Sequence, residues 1–104
     1  MSVNLHPQLL TVGITFRDLV ISGVDRLPGL GEERHGTDFV PTWGGVANTA
    51  RIAASLGARV RLLTGLGDDS NSALCRRELT DWGIDLGPSP VTAGWALPVT
   101  TVSY

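Results

Sequence analysis

The chain has 104 residues, 42% of them hydrophobic and 17% charged. That is enough apolar material for a packed core and too little charge for a solvated, disordered chain. Eight basic residues, every one an arginine, oppose ten acidic ones for a net charge of −2. There is thus no cationic stripe for nucleic acid or an anionic membrane, and no lysine for a Schiff base or a Walker-type phosphate loop. A single cysteine excludes a disulfide framework and a cysteine zinc site.

The first residues, Met1-Ser2-Val3-Asn4-Leu5-His6-Pro7, carry no positive region and no long apolar stretch, so they do not read as a secretory signal. No uninterrupted apolar run is long enough to span a bilayer. With one thiol, Cys75, the expected compartment is the reducing cytoplasm.

Residues 9–15, Leu9-Leu10-Thr11-Val12-Gly13-Ile14-Thr15, predict one buried strand, because apolar and β-branched residues dominate a short run. A second extended segment follows over 18–24, and Leu27-Pro28-Gly29-Leu30-Gly31 predicts a loop. Residues 35–41 predict a third strand, which Pro41 should end or confine to an edge.

Gly44-Gly45 then opens a helix. Thr49, Ile52, Ala53 and Leu56 recur at helical spacing and predict its inward stripe, and Gly57 follows as the terminating glycine. Residues 59–64 predict a strand, and 65–70 a turn in which Asp69 or Ser70 caps the next helix. In that helix Cys75, Leu79 and Trp82 should share the buried face, with Gly83 ending it. A loop with Pro88 and Pro90 precedes an extended stretch over 95–104. Helices alternating with strands after Gly44 predict an α/β fold, while the early strands with no helix between them predict a small sheet at one edge. A strand pattern running to Tyr104 is the expectation for an incomplete, N-terminal part of a longer fold.

The most informative segment is Gly44-Gly45-Val46-Ala47-Asn48-Thr49-Ala50. Paired glycines let a ligand approach the backbone, and a helix start presents unpaired N–H groups with partial positive charge. Asn48 in the first turn offers a donor and an acceptor to a polyol. Taken alone, a tight turn and helix start with no ligand explains the same residues.

In combination the spaced elements resemble the PfkB, or ribokinase-like, carbohydrate kinases. Gly44, Gly45, Asn48, Ala50, Gly57 and Gly67 resemble the family's first signature. Leu27-Pro28-Gly29 with Glu32 resembles its proline–glycine–glutamate loop, and Gly67-Asp68-Asp69 its glycine–aspartate–aspartate turn. The resemblance implies a three-layer α/β/α fold with a small β-sheet lid, whose strands would lie near 18–24, 35–41 and 95–104. It implies an ATP-dependent kinase for a sugar or sugar-like alcohol, with substrate held by Asp18, Gly44, Gly45 and Asn48. The catalytic aspartate, and most of the ATP and Mg2+ site, would lie beyond residue 104, so no catalytic or metal-binding residue is assigned within the chain. Nucleic acid and membrane are not expected as partners; a homodimer through the lid sheet is.

Among single residues, a carboxylate at Asp18 suits two vicinal hydroxyls, through short charge-assisted hydrogen bonds. Arg17 could meet an anionic group, although a surface arginine is the commoner outcome. Phe39, Trp43 and Trp95 could wall a sugar pocket, or simply fill the core and lid. Asp68 and Asp69 read as helix-capping carboxylates rather than an acid–base pair. Two other readings stay open: a non-catalytic polyol-binding or dimerising fragment of a degenerate kinase, and a generic nucleotide-binding domain. The second is disfavoured because Ile14-Thr15-Phe16-Arg17 offers no glycine after the first strand.

Overall fold

A computed structural model describes residues 6–104; the reading of residues 1–5 as no secretory signal lies outside the described residues. The elements run β1 (Gln8–Val12), β2 (Thr15–Ser22), β3 (Asp38–Gly45), α1 (Val46–Ser55), β4 (Arg59–Leu63), β5 (Leu66–Gly67), α2 (Ser70–Asp81), β6 (Val91–Thr92) and β7 (Val99–Ser103). The molecule is elongated, 64 × 31 × 19 Å.

Two parts account for that shape. In the body, β1 and β4 pair in parallel, β5 and β6 form a second short parallel pair, and α1 packs on β4 and β1. Above it stands a three-stranded sheet in the order β3-β2-β7, antiparallel between β2 and β3 and parallel between β2 and β7. This upper sheet is the lid of the resemblance, with different bounds. Its strands cover 15–22, 38–45 and 99–103 rather than 18–24, 35–41 and 95–104.

The single strand expected over 9–15 is two. β1 ends at Val12 and pairs with β4, whereas β2 begins at Thr15 and pairs with β3 and β7. Both halves are apolar and β-branched, so composition cannot reveal that they belong to different sheets. Pro41 does not end β3; it sits opposite Leu19 within the strand. Because β3 is an edge strand, a residue with no N–H to donate is tolerated there.

The core is built from Trp43, Ala47, Ala50, Val60, Leu62, Leu66, Cys75, Leu79, Ile84, Leu86 and Leu97. The inward face of α1 differs from expectation. Ala47 and Ala50 are fully buried, whereas Ile52 is 54% and Leu56 82% exposed, and Thr49 also faces outward. Small residues on the sheet-facing side let the helix backbone lie close to β4, and the larger residues are left outside. In α2, Cys75 and Leu79 face the core as the spacing requires, and Ser72 is buried beside them. Trp82 does not join them; it is exposed, and its ring takes the guanidinium of Arg51 at 5.4 Å.

Candidate functional site

The junction between lid and body gathers the residues that the sequence singles out. Asp18 lies on β2, with Thr42 opposite on β3 and Thr100 opposite on β7. The Thr100 hydroxyl donates to Asp18 Oδ1, which fixes the carboxylate from a strand distant in sequence. The other carboxylate oxygen lies over Gly44: a Cβ at that position would collide with Asp18 Oδ2. Asp18 and Gly44 are therefore brought together, and the missing side chain at 44 is what accommodates the carboxylate.

Gly45 is the N-cap of α1 with φ 65°, a backbone conformation that favours glycine. A Cβ there would also strike the carbonyl oxygen of Ile14. That carbonyl accepts the Val46 N–H at 2.9 Å, fastening the first turn of α1 to the residue before β2. No side chain caps α1 and no acidic residue occupies its first turn, so no residue of the helix's own first turn offsets the partial positive charge of its N-terminus.

Asn48 is less closely gathered. It is exposed in the first turn of α1, and its Oδ1 accepts from Arg51 at 3.2 Å along the helix surface. Among the described residues no hydrogen bond joins it to Asp18. A groove of about 610 Å³ elsewhere on the molecule includes none of Asp18, Gly44, Gly45 and Asn48. It is lined instead by residues of β1 and β4 together with Ala58, Gly83 and Asp85.

The aromatic residues take other places. Trp43 is 1% exposed, and its indole N–H donates to Glu78 of α2 at 2.5 Å. Arg17 lies over the Trp43 ring at 4.4 Å and 3.9 Å from the same Glu78 carboxylate. Trp43 is thus a core residue rather than a pocket wall, and Arg17 is a clamp between lid and α2 rather than a free cation. Trp95 packs against Gly65, and its carbonyl occupies the space that a Cβ at Gly67 would need. Phe39 is 56% exposed on the lid.

Asp68 and Asp69 tie the turn before α2 to the segment leading into β7. Asp68 accepts from the Gly94 N–H and Asp69 from the Leu97 N–H. Asp69 also accepts from the Ser72 hydroxyl; that bond first, and the Leu97 N–H with it, hold its carboxyl below its ordinary range against the opposing effect of burial. Burial pushes the Cys75 thiol up to about 11, so it is protonated at neutral pH and a poor nucleophile. Among the described residues no group of three or more His, Cys, Asp or Glu could hold a metal ion, and no helix is long and apolar enough to cross a membrane.

Thr100 and Glu78 are the residues of this region that sequence reasoning missed. Thr100 sat within an extended stretch but carried no motif, and nothing local marked Glu78 as the partner of Trp43.

Comparison with known proteins identifies the family. Residues 6–101 match the description of the pfkB family carbohydrate kinases, and the chain belongs to that family. Among the curated proteins none matches. The structure superimposes on a ribokinase of Arabidopsis thaliana complexed with ribose and ATP, with TM-score 0.79 and 25% identity, covering 95% of this chain and 32% of that one. A nucleoside kinase of Methanocaldococcus jannaschii gives TM-score 0.75 and 23% identity, covering 92% and 32%. A ribokinase of Cryptococcus neoformans in complex with ADP gives 0.71 and 19%, covering 93% and 30%. The chain has the ribokinase-like fold over about a third of the length of these structures.

Proposed function

We propose that these residues form the substrate-side part of an ATP-dependent kinase that phosphorylates a hydroxyl of a sugar or sugar-like alcohol. The observation that carries the reading is the Asp18 carboxylate seated over bare Gly44, at the uncapped start of α1, in a chain of this family.

Asp18 accepts hydrogen bonds from two neighbouring hydroxyls of the acceptor, and the backbone at Gly44 and Gly45 allows close approach. Asn48 contributes from the first turn of α1 once its side chain leaves Arg51. Together they orient the hydroxyl that is to react, and productive orientation is a large part of such a rate. The general base and the nucleotide site are contributed by residues outside this chain; a bound nucleotide with Mg2+ would supply the transferable phosphoryl group and neutralise its charge. The structures with ADP and with ribose and ATP support that assignment. Closure of the lid sheet over the acceptor excludes water and suppresses idle ATP hydrolysis. The protein works in the cytoplasm. The lid is also the surface on which a homodimer would form.

The test is acceptor and nucleotide kinetics in the complete kinase. Asp18→Ala should raise the acceptor KM strongly and leave the ATP KM near its original value. Equal losses for both substrates would remove the assignment.

A further inference from the structure

The two faces of the lid sheet differ in chemistry, and the difference bears on which acceptors fit. The register puts Asp18, Thr42 and Thr100 in one row across the sheet and Val20, Val40 and Val102 in the next. Side chains alternate between faces along a strand, so these two rows share one face. Their face is the one to which Gly44 belongs, since it lies beneath the Asp18 carboxylate. Arg17, on the alternate residue of β2, belongs to the opposite face. There it is held by the Trp43 ring and Glu78, with only 12% of its side chain exposed.

The face that carries Asp18 therefore presents two carboxylates, Asp18 and Asp38, three hydroxyls, from Ser22, Thr42 and Thr100, and a row of valines. Among the described residues of the three lid strands the lone cation is turned away from it. An anionic group placed here would meet the Asp18 and Asp38 charges with no compensating cation from the described residues of these three strands. A neutral guest would set hydroxyls against Asp18 and Thr100 and C–H surface against the valines.

Building on the kinase reading above, the geometry points to an uncharged acceptor with an apolar side: a neutral sugar or nucleoside rather than a sugar phosphate or sugar acid. Selectivity against anions resides on the lid, in the pairing of a carboxylate row with a valine row.

The test compares kcat/KM of the complete kinase for ribose, fructose and adenosine with that for ribose 5-phosphate, fructose 6-phosphate and gluconate. The best neutral acceptor should exceed every anionic one by about tenfold or more; a preference for an anionic acceptor overturns the inference and leaves the kinase reading standing. No turnover and no binding of any acceptor overturns both. The face assignment is checked with two neighbouring exposed positions. Val40→Arg should shift the neutral-to-anionic ratio toward the anionic acceptors, and Phe39→Arg, on the opposite face, should not. Equal shifts, or none in either variant, overturn it. So does a Val40→Arg variant that converts a dimer to a monomer in sedimentation velocity with selectivity unchanged, which would show the valine row covered by a second copy.

Discussion

The carboxylate of Asp18 on β2 rests over the bare α-carbon of Gly44 on β3, in the space where a side chain at 44 would begin. Position 44 does not need glycine for its own dihedral angles; it needs it because Asp18 occupies the space. Gly44→Ala should therefore act through Asp18, raising the acceptor KM by on the order of tenfold to a hundredfold. Kinetics of the single and double variants check this: with Asp18→Ala already present, Gly44→Ala should add little.

Thr100 holds the other oxygen of the same carboxylate. Thr100→Val keeps the shape and removes the donor, and should weaken acceptor binding by roughly fivefold, about 1 kcal/mol. Thr100→Ser should restore most of the loss. Calorimetric titration with the acceptor separates the two variants, and ATP affinity should be the same in both.

The lid is fastened to α2 through Trp43, Arg17 and Glu78. Trp43→Ala removes a buried ring, a cation–π partner and a hydrogen bond, and should lower stability by about 3–5 kcal/mol. Urea unfolding curves would measure it. A conservative Trp43→Phe, which keeps the ring but not the N–H, should be milder.

Asp69 predicts one component of the acid limb of stability. Its carboxyl is held below the ordinary 3.8, first by the Ser72 hydroxyl. A carboxyl whose value is depressed on folding stabilises the fold fully above its unfolded value, and the stabilisation fades as pH falls through the lower folded value. Asp69→Asn should therefore be less stable than the parent at neutral pH, and the gap should narrow below about pH 3.8. Urea midpoints at the two pH values give the comparison.

Cys75 predicts the reverse at the alkaline end. Its thiol is raised from 9.0 to about 11 by burial, so the stabilisation it contributes is present below pH 9 and is lost as pH climbs toward the folded value. In the native protein at neutral pH a thiol reagent should label Cys75 only as fast as the core opens. Rapid labelling in buffer alone would contradict its burial.

Much of this was legible in the residues themselves. The glycine pair before α1, the strand at β4 and the helix after Asp69 each carry a local signal, and local signals survive folding. The inward face of α1 was misread because Ile52 and Leu56 are the more hydrophobic residues, whereas close packing on a sheet selects alanine. The division of residues 9–15 between two sheets was hidden for a related reason: a strand's composition shows that it will be buried, not which partner it will find. Thr100 meets Asp18 across 82 residues of sequence, and Trp43 meets Glu78 across 35. Contacts of that span follow from register and topology, which no short window of sequence contains.

The lid and the body are joined with almost no slack. Only Gly13 and Ile14 separate β1 from β2, and β3 runs into α1 without an intervening loop. A tilt of the upper sheet is then levered directly onto the first turn of α1. Gripping a guest above and aiming the helix below would be two ends of one rigid motion.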